Sequence, residues 1–253
     1  MLCNSRTLWT AAALSSALAV TGCAKDPSKD APAATVSEPA PAAEPAGAAP
    51  AAPPPAEAAP AAPSPAPAAE APAAPSAAAP SENAADAKAL TGAVHAVGSK
   101  VTGSHTIVFQ KWTGTVRLAG GSAEGGQLAF SIDMGSLVSD PDARTPFSEK
   151  LDGHLKSGDF FEVEKFPTAT FASSAIKAGG ENGASHTIKG NLTLRGTTKE
   201  ISFPATIAVG PTEVTGKAEF SINRKDFGVL YTGKPDDLIR DGVVLKIDVK
   251  AAL

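Results

Sequence analysis

Alternation of apolar and polar residues is the feature that most constrains the fold of this 253-residue chain. Across five segments of the C-terminal part, 22 positions of one parity carry no charge, whereas the opposite parity holds six charges. Side chains alternate between the two faces of a β-strand, so each segment predicts a strand with one apolar and one solvated face. The segments are 128–134, 188–194, 201–209, 214–222 and 243–249.

Short turns, most of them containing glycine, separate these segments, and short connections indicate antiparallel neighbours. Weaker alternation predicts earlier strands at 93–101, 106–118 and 168–176, the last with a bulge near Ser173. The predicted fold class is therefore all-β. We expect an antiparallel barrel of about eight strands, because closure removes exposed strand edges. Pro204 at an outward position predicts an edge or a bulge there.

Residues 145–158 break the alternation and predict a short helical insert. Thr145 followed by Pro146 resembles an N-cap with proline in the first helical position. We expect this helix to lie across the open end of the sheet. One helix face would carry four residues at helical spacing, namely Phe147, Leu151, His154 and Leu155.

The interior of an eight-stranded barrel is just wide enough to be filled by side chains or to hold one small ligand. Small residues on the apolar faces favour a cavity. The alternative, a solidly packed barrel in which glycine serves curvature, stays open on sequence alone. The small residues are Gly190, Ala205, Gly216 and Ala218.

The first 22 residues are typical of a targeting segment, because Arg6 precedes an apolar run, 8–20, that is too short to span a bilayer. The run ends in Val-Thr-Gly-Cys, which resembles the lipobox of bacterial lipoproteins and predicts acylation of Cys23. Acyl chains there would attach the protein to a membrane. The next residues lack the aspartate that signals inner-membrane retention, which favours the outer membrane of a bacterial envelope, facing the periplasm. In the alternative reading, an ordinary secretory signal leaves Cys23 as a free thiol.

Residues 23–89 are predicted to be a disordered tether between the anchor and a domain at 90–253. Of the 50 residues from 31 to 80, 40 are alanine or proline and none is aromatic, a composition that cannot build a core. Polyproline II geometry, at ~3.1 Å per residue, would let roughly 65 residues reach at most ~200 Å.

The predicted domain shows no sign of catalysis. It carries 18 basic and 18 acidic side chains, so it offers no excess of positive charge for nucleic acid. It contains no metal, phosphate-loop or serine-nucleophile motif, so we predict no enzyme activity and no cofactor. His154 and Arg224 adjoin apolar runs and are predicted to meet the head group of a ligand. Alternatively, Arg224 pairs with Asp226 and fixes a turn.

Three blocks of sequence resemble the YceI-like, polyisoprenoid-binding family. They are His-Leu-Lys-Ser at 154–157 with the phenylalanine-rich run at 159–171, Gly-Asn-Leu-Thr-Leu-Arg-Gly at 190–196, and Asn-Arg-Lys-Asp-Phe-Gly at 223–228. In this order, the resemblance covers about residues 127–251. The family's usual opening strand, an aspartate followed by His-Ser, is replaced here by residues 98–105.

The resemblance implies a lipocalin-like barrel in the bacterial periplasm whose apolar cavity holds an isoprenoid or a similar long-chain lipid. We therefore predict an envelope protein that sequesters or carries a quinone or polyprenyl derivative. The alternative is an envelope interaction protein with a filled barrel, which docks a protein partner through its outer face. By the resemblance, the cavity would be lined by Phe109, Leu128, Phe130, Ile132, Met134, Phe147, Leu151, Leu155, Phe160, Phe161, Phe171, Leu192, Leu194, Phe203, Ile207, Phe220, Ile222 and Phe227.

Overall fold

The computed structural model describes residues 25–39 and 86–253. The leader, Cys23 and residues 40–85 of the predicted tether lie outside the described residues. The elements are β1 (Thr35–Ser37), β2 (Lys88–Ala89), β3 (Thr91–Lys100), β4 (Gly103–Phe109), β5 (Trp112–Ala119), β6 (Ser122–Asp133), β7 (Leu137–Ser139), helix α1 (Pro146–Lys156), β8 (Thr168–Ala178), β9 (His186–Leu194), β10 (Thr197–Val209), β11 (Glu213–Asn223), β12 (Gly233–Lys234), β13 (Asp237–Leu238) and β14 (Gly242–Ala252).

Twelve of the strands form one curled antiparallel sheet, and β12 and β13 form a separate ribbon. The order across the sheet is β2-β5-β6-β8-β9-β10-β11-β14-β3-β4-β7, with β1 added to β10. β2 and β3 are separated only by Leu90, whose backbone N–H donates to the Gly114 carbonyl at 2.8 Å. One continuous stretch of chain thus pairs with β5 on one side and with β14 on the other. The sheet curls back on itself at this point.

The barrel has two distinct ends. One, which we call the helix end, carries α1, the 3-10 turn Arg224–Phe227 and the start of β14. The other, the turn end, carries the tight connections at 120–121, 179–185 and 210–212. The two ends differ because the longest connections within 86–253, namely 140–167 and 224–241, both lie at the helix end.

The prediction of about eight strands is too low. Five strands, β1, β2, β7, β12 and β13, are two or three residues long, too short for alternation to identify them. The predicted strand at 106–118 is in fact two, because the chain turns at Gln110 and Lys111 between β4 and β5. The all-β, antiparallel class and the single helix agree with the prediction.

Helix α1 begins as the sequence predicts. The Thr145 hydroxyl accepts from the Ser148 N–H at 3.2 Å, and Pro146 occupies the first turn. The helix is fixed to β7 by Asp152, which accepts from the Ser139 N–H and from Arg144, both at 2.7 Å. Burial alone would raise the pKa of the Asp152 carboxyl, but these hydrogen bonds lower it below its usual value.

Two local irregularities were predicted from sequence. The register of β8 against β9 shifts between Ser173 and Ala175, which confirms the bulge. Pro204 lies inside β10, where the strand changes partner on one side: residues 200–202 pair with β1, whereas residues 206–209 pair with β11. Proline has no N–H to donate, so it suits position 204, where neither β1 nor β11 pairs with this side of β10.

Residues 25–39, which we call the docked segment, pack on the barrel instead of forming part of a free tether. Beyond Thr206 and Lys217, toward the helix end, β10 and β11 no longer pair with each other. The docked segment occupies this seam. The Ala34 N–H donates to the Ser221 carbonyl at 2.8 Å, and the Ser221 N–H donates to the Pro32 carbonyl at 2.9 Å. For these residues the structure differs from the predicted disordered tether.

Side chains of the docked segment contribute to both faces of the wall. Val36 is half-buried and packs against the barrel core, and Ala31 is buried. Ser221 and Val244 have outward parity, yet they are buried where the docked segment crosses β11 and reaches β14. The docked segment therefore covers a part of the outer face that would otherwise be exposed.

Candidate ligand-binding cavity

An apolar cavity of about 140 Å³ lies inside the barrel, and its lining residues extend from the turn end to the helix end. Its wall is built from inward-facing side chains of the long strands and is almost wholly apolar. Phe130 and Ile222 belong to the part nearer the helix end, and Val116 and Val214 to the part nearer the turn end. The apolar faces that the alternation predicts thus enclose a space.

Twelve of the eighteen predicted lining residues lie in the wall of this cavity. Leu128 and Ile207 are only half-buried although they face inward, so their remaining accessible surface lies toward the hollow. Contact of these side chains with a ligand stays a prediction. The twelve are Phe109, Leu128, Phe130, Ile132, Met134, Phe171, Leu192, Leu194, Phe203, Ile207, Phe220 and Ile222.

Three phenylalanines form a rigid part of the wall. The rings of Phe203 and Phe220 stack with centroids 4.0 Å apart and planes 13° apart, and Phe171 tilts against Phe203 at 5.7 Å. Gly190, on the strand between Phe171 and Phe203, makes room for the first ring, because a Cβ at Gly190 would lie 2.6 Å from the Phe171 ring. Gly190 was predicted to leave free space, and instead it accommodates Phe171.

The other small residues do border the hollow. Ala205, Gly216 and Ala218 all line the cavity. A Cβ built at Gly216 would have an ordinary contact of 3.5 Å with Val249, so a small side chain could be added there without overlap. The small residues that border the open volume therefore belong to β10 and β11.

The wall also holds residues that were not among those predicted to line it, and three of these are polar or charged, namely Arg117, Thr215 and Lys217. The wall presents almost no polar surface, so they contribute apolar atoms to it. Alternation assigns Thr215 and Lys217 to the outer face, which is why the pattern missed them. The Lys217 ammonium in fact pairs with Asp248 at 2.9 Å on that face.

Six of the predicted lining residues lie at the helix end and not in the cavity wall. Leu155, Phe160 and Phe227 are buried in the core there, whereas Phe147 is 58% exposed. Helix α1 packs beside β7 and does not cover the hollow, so its apolar face never reaches the cavity. The six are Phe147, Leu151, Leu155, Phe160, Phe161 and Phe227.

His154 is not at the cavity either. Its Nε2 lies 3.0 Å from the Asp159 carboxylate, and its ring meets Phe160 and Tyr231 edge-on, each with centroids 5.0 Å apart. This set of contacts joins α1 to the loops that follow it. The predicted head-group contact of His154 therefore has no counterpart in the geometry.

Arg224 holds loops together and does not face the cavity. Its side chain is 5% exposed and donates to the carbonyls of Val229 at 2.7 Å and Arg240 at 3.1 Å. Burial lowers the pKa of the guanidinium, and Asp241, 3.3 Å away, opposes that shift. The charged partner of Arg224 is Asp241 and not Asp226, so the predicted pairing with Asp226 is wrong. The alternative prediction of a structural role for Arg224 agrees with these contacts.

Within 25–39 and 86–253, no three histidine, cysteine, aspartate or glutamate side chains come together in a way that could hold a metal ion. In that part of the chain, no helix has both the length and the hydrophobicity needed to cross a bilayer.

Comparison with known proteins agrees with this geometry. A UPF0312 protein of Pseudomonas fluorescens is 33% identical over 131 residues, which are 49% of this chain and 64% of the relative. A UPF0312 protein of Pseudomonas aeruginosa is 44% identical over 84 residues, 31% of this chain and 42% of the relative. The chain thus spans less than two thirds of the curated relatives it matches.

Among solved structures, Burkholderia cenocepacia BcnA superposes with a TM-score of 0.53 at 25% identity, covering 63% of this chain and 95% of that protein. A polyisoprenoid binding domain from Saccharophagus degradans has a TM-score of 0.48 at 16% identity, covering 66% and 99%. The model of the YceI-like domain matches residues 83–251, which is more than half of the chain. The chain therefore belongs to the YceI-like domain family.

Proposed function

We propose that this protein binds an isoprenoid-type or similar long-chain lipid in the barrel cavity and acts as a carrier or a store in the bacterial envelope. The observation that carries the proposal is the hollow inside the barrel with its almost wholly apolar wall. Such a wall offers no groups for catalysis and no partners for a polar ligand, but it favours hydrocarbon, because burying apolar surface contributes ~25 cal/mol per Å². Membership of a family of binding domains supports the same reading.

The volume of the cavity limits what it can hold as it stands. At about 140 Å³ it is similar to an engineered protein cavity of ~150 Å³ that binds benzene. Pockets for larger ligands are usually ~300–1,000 Å³. The proposal therefore predicts that the hollow accepts a ring or a short branched chain directly, and that a polyprenyl tail makes the surrounding side chains move apart.

The alternative function, a filled barrel that docks a protein partner, predicts no empty apolar volume. The hollow beside Gly216 and Ala218 favours lipid binding over it. The envelope location and the membrane anchor rest on the leader and the lipobox-like sequence before Cys23. Mass spectrometry of the native N-terminus tests the anchor, because an unmodified Cys23 would rule it out.

Organic extraction of the natively purified protein, followed by mass spectrometry, tests lipid binding. We expect recovery of an isoprenoid or a long-chain lipid in a fixed ratio to protein. Stripped protein should then take up farnesol, measured by calorimetry. A clean extract together with no uptake would refute the proposal and favour a protein-docking role.

A further inference from the structure

We infer that the helix end of the barrel is a membrane-docking face, held by the docked segment against the bilayer that carries Cys23. The inference rests on the acylation of Cys23 in the proposed function. The partner is the bilayer surface itself. Two observations point to it: the place where the docked segment begins, and the distribution of exposed apolar side chains.

The docked segment starts at the helix end. Asp26 lies 3.7 Å from Arg240, and Ser28 packs against Gly242 at the start of β14. Lys25 pairs with Asp30 of the same segment at 3.0 Å. Cys23 precedes Lys25 by two residues, and two residues span at most about 7 Å. An anchor at Cys23 therefore holds the helix end close to the bilayer for as long as the segment stays docked.

The attachment of this segment is built into the barrel wall. It fills the seam between β10 and β11, with β1 paired to residues 200–202 and Ala34 bonded to Ser221. Its far end returns toward the helix end, where Glu38 pairs with Lys199. Both ends of the docked segment thus lie at the same end of the barrel.

Exposed apolar side chains are more frequent at this end. Leu230 is 63% exposed, Phe147 58% and Leu238 48%. They lie on neighbouring elements. The Phe147 ring of α1 lies 5.9 Å from His105 on β4, and the β12–β13 ribbon that carries Leu238 contacts the turn between β3 and β4. Tyr231, next to Leu230, has its ring 5.0 Å from that of His154 on α1. Three such side chains hold a free protein on a bilayer only weakly. Tethering through Cys23 raises the effective concentration of this surface at the bilayer to the millimolar range, where weak contacts suffice to keep it bound.

Release of the docked segment would change both the distance and the orientation of the barrel. Residues 24–85 then separate Cys23 from the barrel, and a coil of that length averages roughly 43 Å. The chain enters the barrel at Lys88, which pairs with Val116 of β5 toward the turn end. The barrel would then be attached to the membrane anchor through its turn end instead of its helix end.

The mature chain offers single probes for a direct test. In residues 23–253, Cys23 is the sole thiol and Trp112 the sole tryptophan. Trp112 starts β5 at the helix end. The full mature chain is coupled through Cys23 to a maleimide lipid in phosphatidylcholine vesicles that contain a dansyl lipid, and energy transfer from Trp112 to dansyl is measured. We expect strong transfer in the wild type.

Variants of the docked segment separate docking from simple tethering. Val36→Asp buries a carboxylate in the seam, and Ala34→Pro removes the bond to Ser221, so either should lower transfer by about twofold or more as the barrel moves away. Thr35→Asp, at an exposed position of the same strand, is the matched control and should leave transfer unchanged. Equal transfer in the wild type and both seam variants, or weak transfer in the wild type, would overturn the inference.

Substitution of the exposed apolar side chains at the helix end tests their contact with the bilayer. Leu230→Ser combined with Leu238→Ser should lower transfer, whereas Val209→Ser, exposed at the turn end, should not. An equal effect at the two ends would contradict a membrane-facing helix end. Farnesol uptake by the protein on the same vesicles tests the proposed lipid binding. Loss of uptake with intact transfer would refute that function alone.

Discussion

Filling the cavity should abolish ligand binding and stabilise the protein. Ala218 lies on β11 with its side chain in the wall of the hollow. Ala218→Leu adds three carbon atoms, which at ~0.8 kcal/mol each gain about 2.4 kcal/mol on burial. The empty volume of about 140 Å³ sets an upper limit of roughly 3.4 kcal/mol, at ~24 cal/mol per Å³. Some strain from tighter packing offsets the gain. We expect a net increase of about 1–2 kcal/mol in the free energy of unfolding.

Urea denaturation with and without benzene or farnesol measures both effects. A ligand that binds only the folded state raises the free energy of unfolding by RT ln(1 + [L]/Kd). The wild type should show this increase, and Ala218→Leu should show at least a tenfold weaker affinity. Ala208→Leu, exposed on the outer face of the neighbouring strand β10, is the control. Its stability should change by less than about 0.5 kcal/mol, with ligand binding unchanged.

If Ala218→Leu destabilises the protein by more than about 1 kcal/mol, the position is already packed and the added carbons have nowhere to go. If its ligand affinity equals that of the wild type, the ligand binds elsewhere. Either result would contradict the assignment of this hollow as the binding site.

Three further changes test the fold and the site. Phe220→Ala removes a stacked, buried ring and should cost about 3–5 kcal/mol in urea denaturation while admitting larger ligands; unchanged stability would contradict the stacking. Asp152→Asn should cost about 1–2 kcal/mol at pH 7, and the difference from wild type should vanish as pH falls through the lowered pKa of Asp152, because this carboxylate stabilises the fold only while it is ionised. Shortening residues 40–85 to about ten residues, at most ~35 Å of chain, should pull the docked segment off, detected as faster hydrogen exchange at Ala34; unchanged protection would refute the path proposed for the chain.

Alternation predicted the interior well because it depends only on neighbours along the strand. Phe203, Ile207 and Phe220 were placed inside on that ground, and all three line the cavity. The pattern could not place Phe160 or Phe227, because residues in loops and 3-10 turns have no two-residue period. Their burial depends on how the helix end packs.

The docked segment was not predicted because it is held by contacts between residues far apart in the sequence. Ser37 meets Glu200 across 163 positions, and no local pattern reports such a pairing. Two weak signals were present. Thr35 and Val36 are the only β-branched residues between 31 and 80, and Val244 is apolar on an otherwise solvated face. Arg224 was ambiguous for a similar reason, since the carbonyls it binds come from distant loops.

The seam has a consequence for proteolysis. The chain leaves the barrel at one end after Pro39 and re-enters near the other at Lys88, so a protease that cuts between these points leaves every strand within 25–39 and 86–253 intact. The nicked product would be a two-fragment complex, in which a short acylated peptide remains bound in the seam. Shedding of the barrel from the membrane would then follow the dissociation rate of that peptide, and a competing peptide of the same sequence would accelerate it.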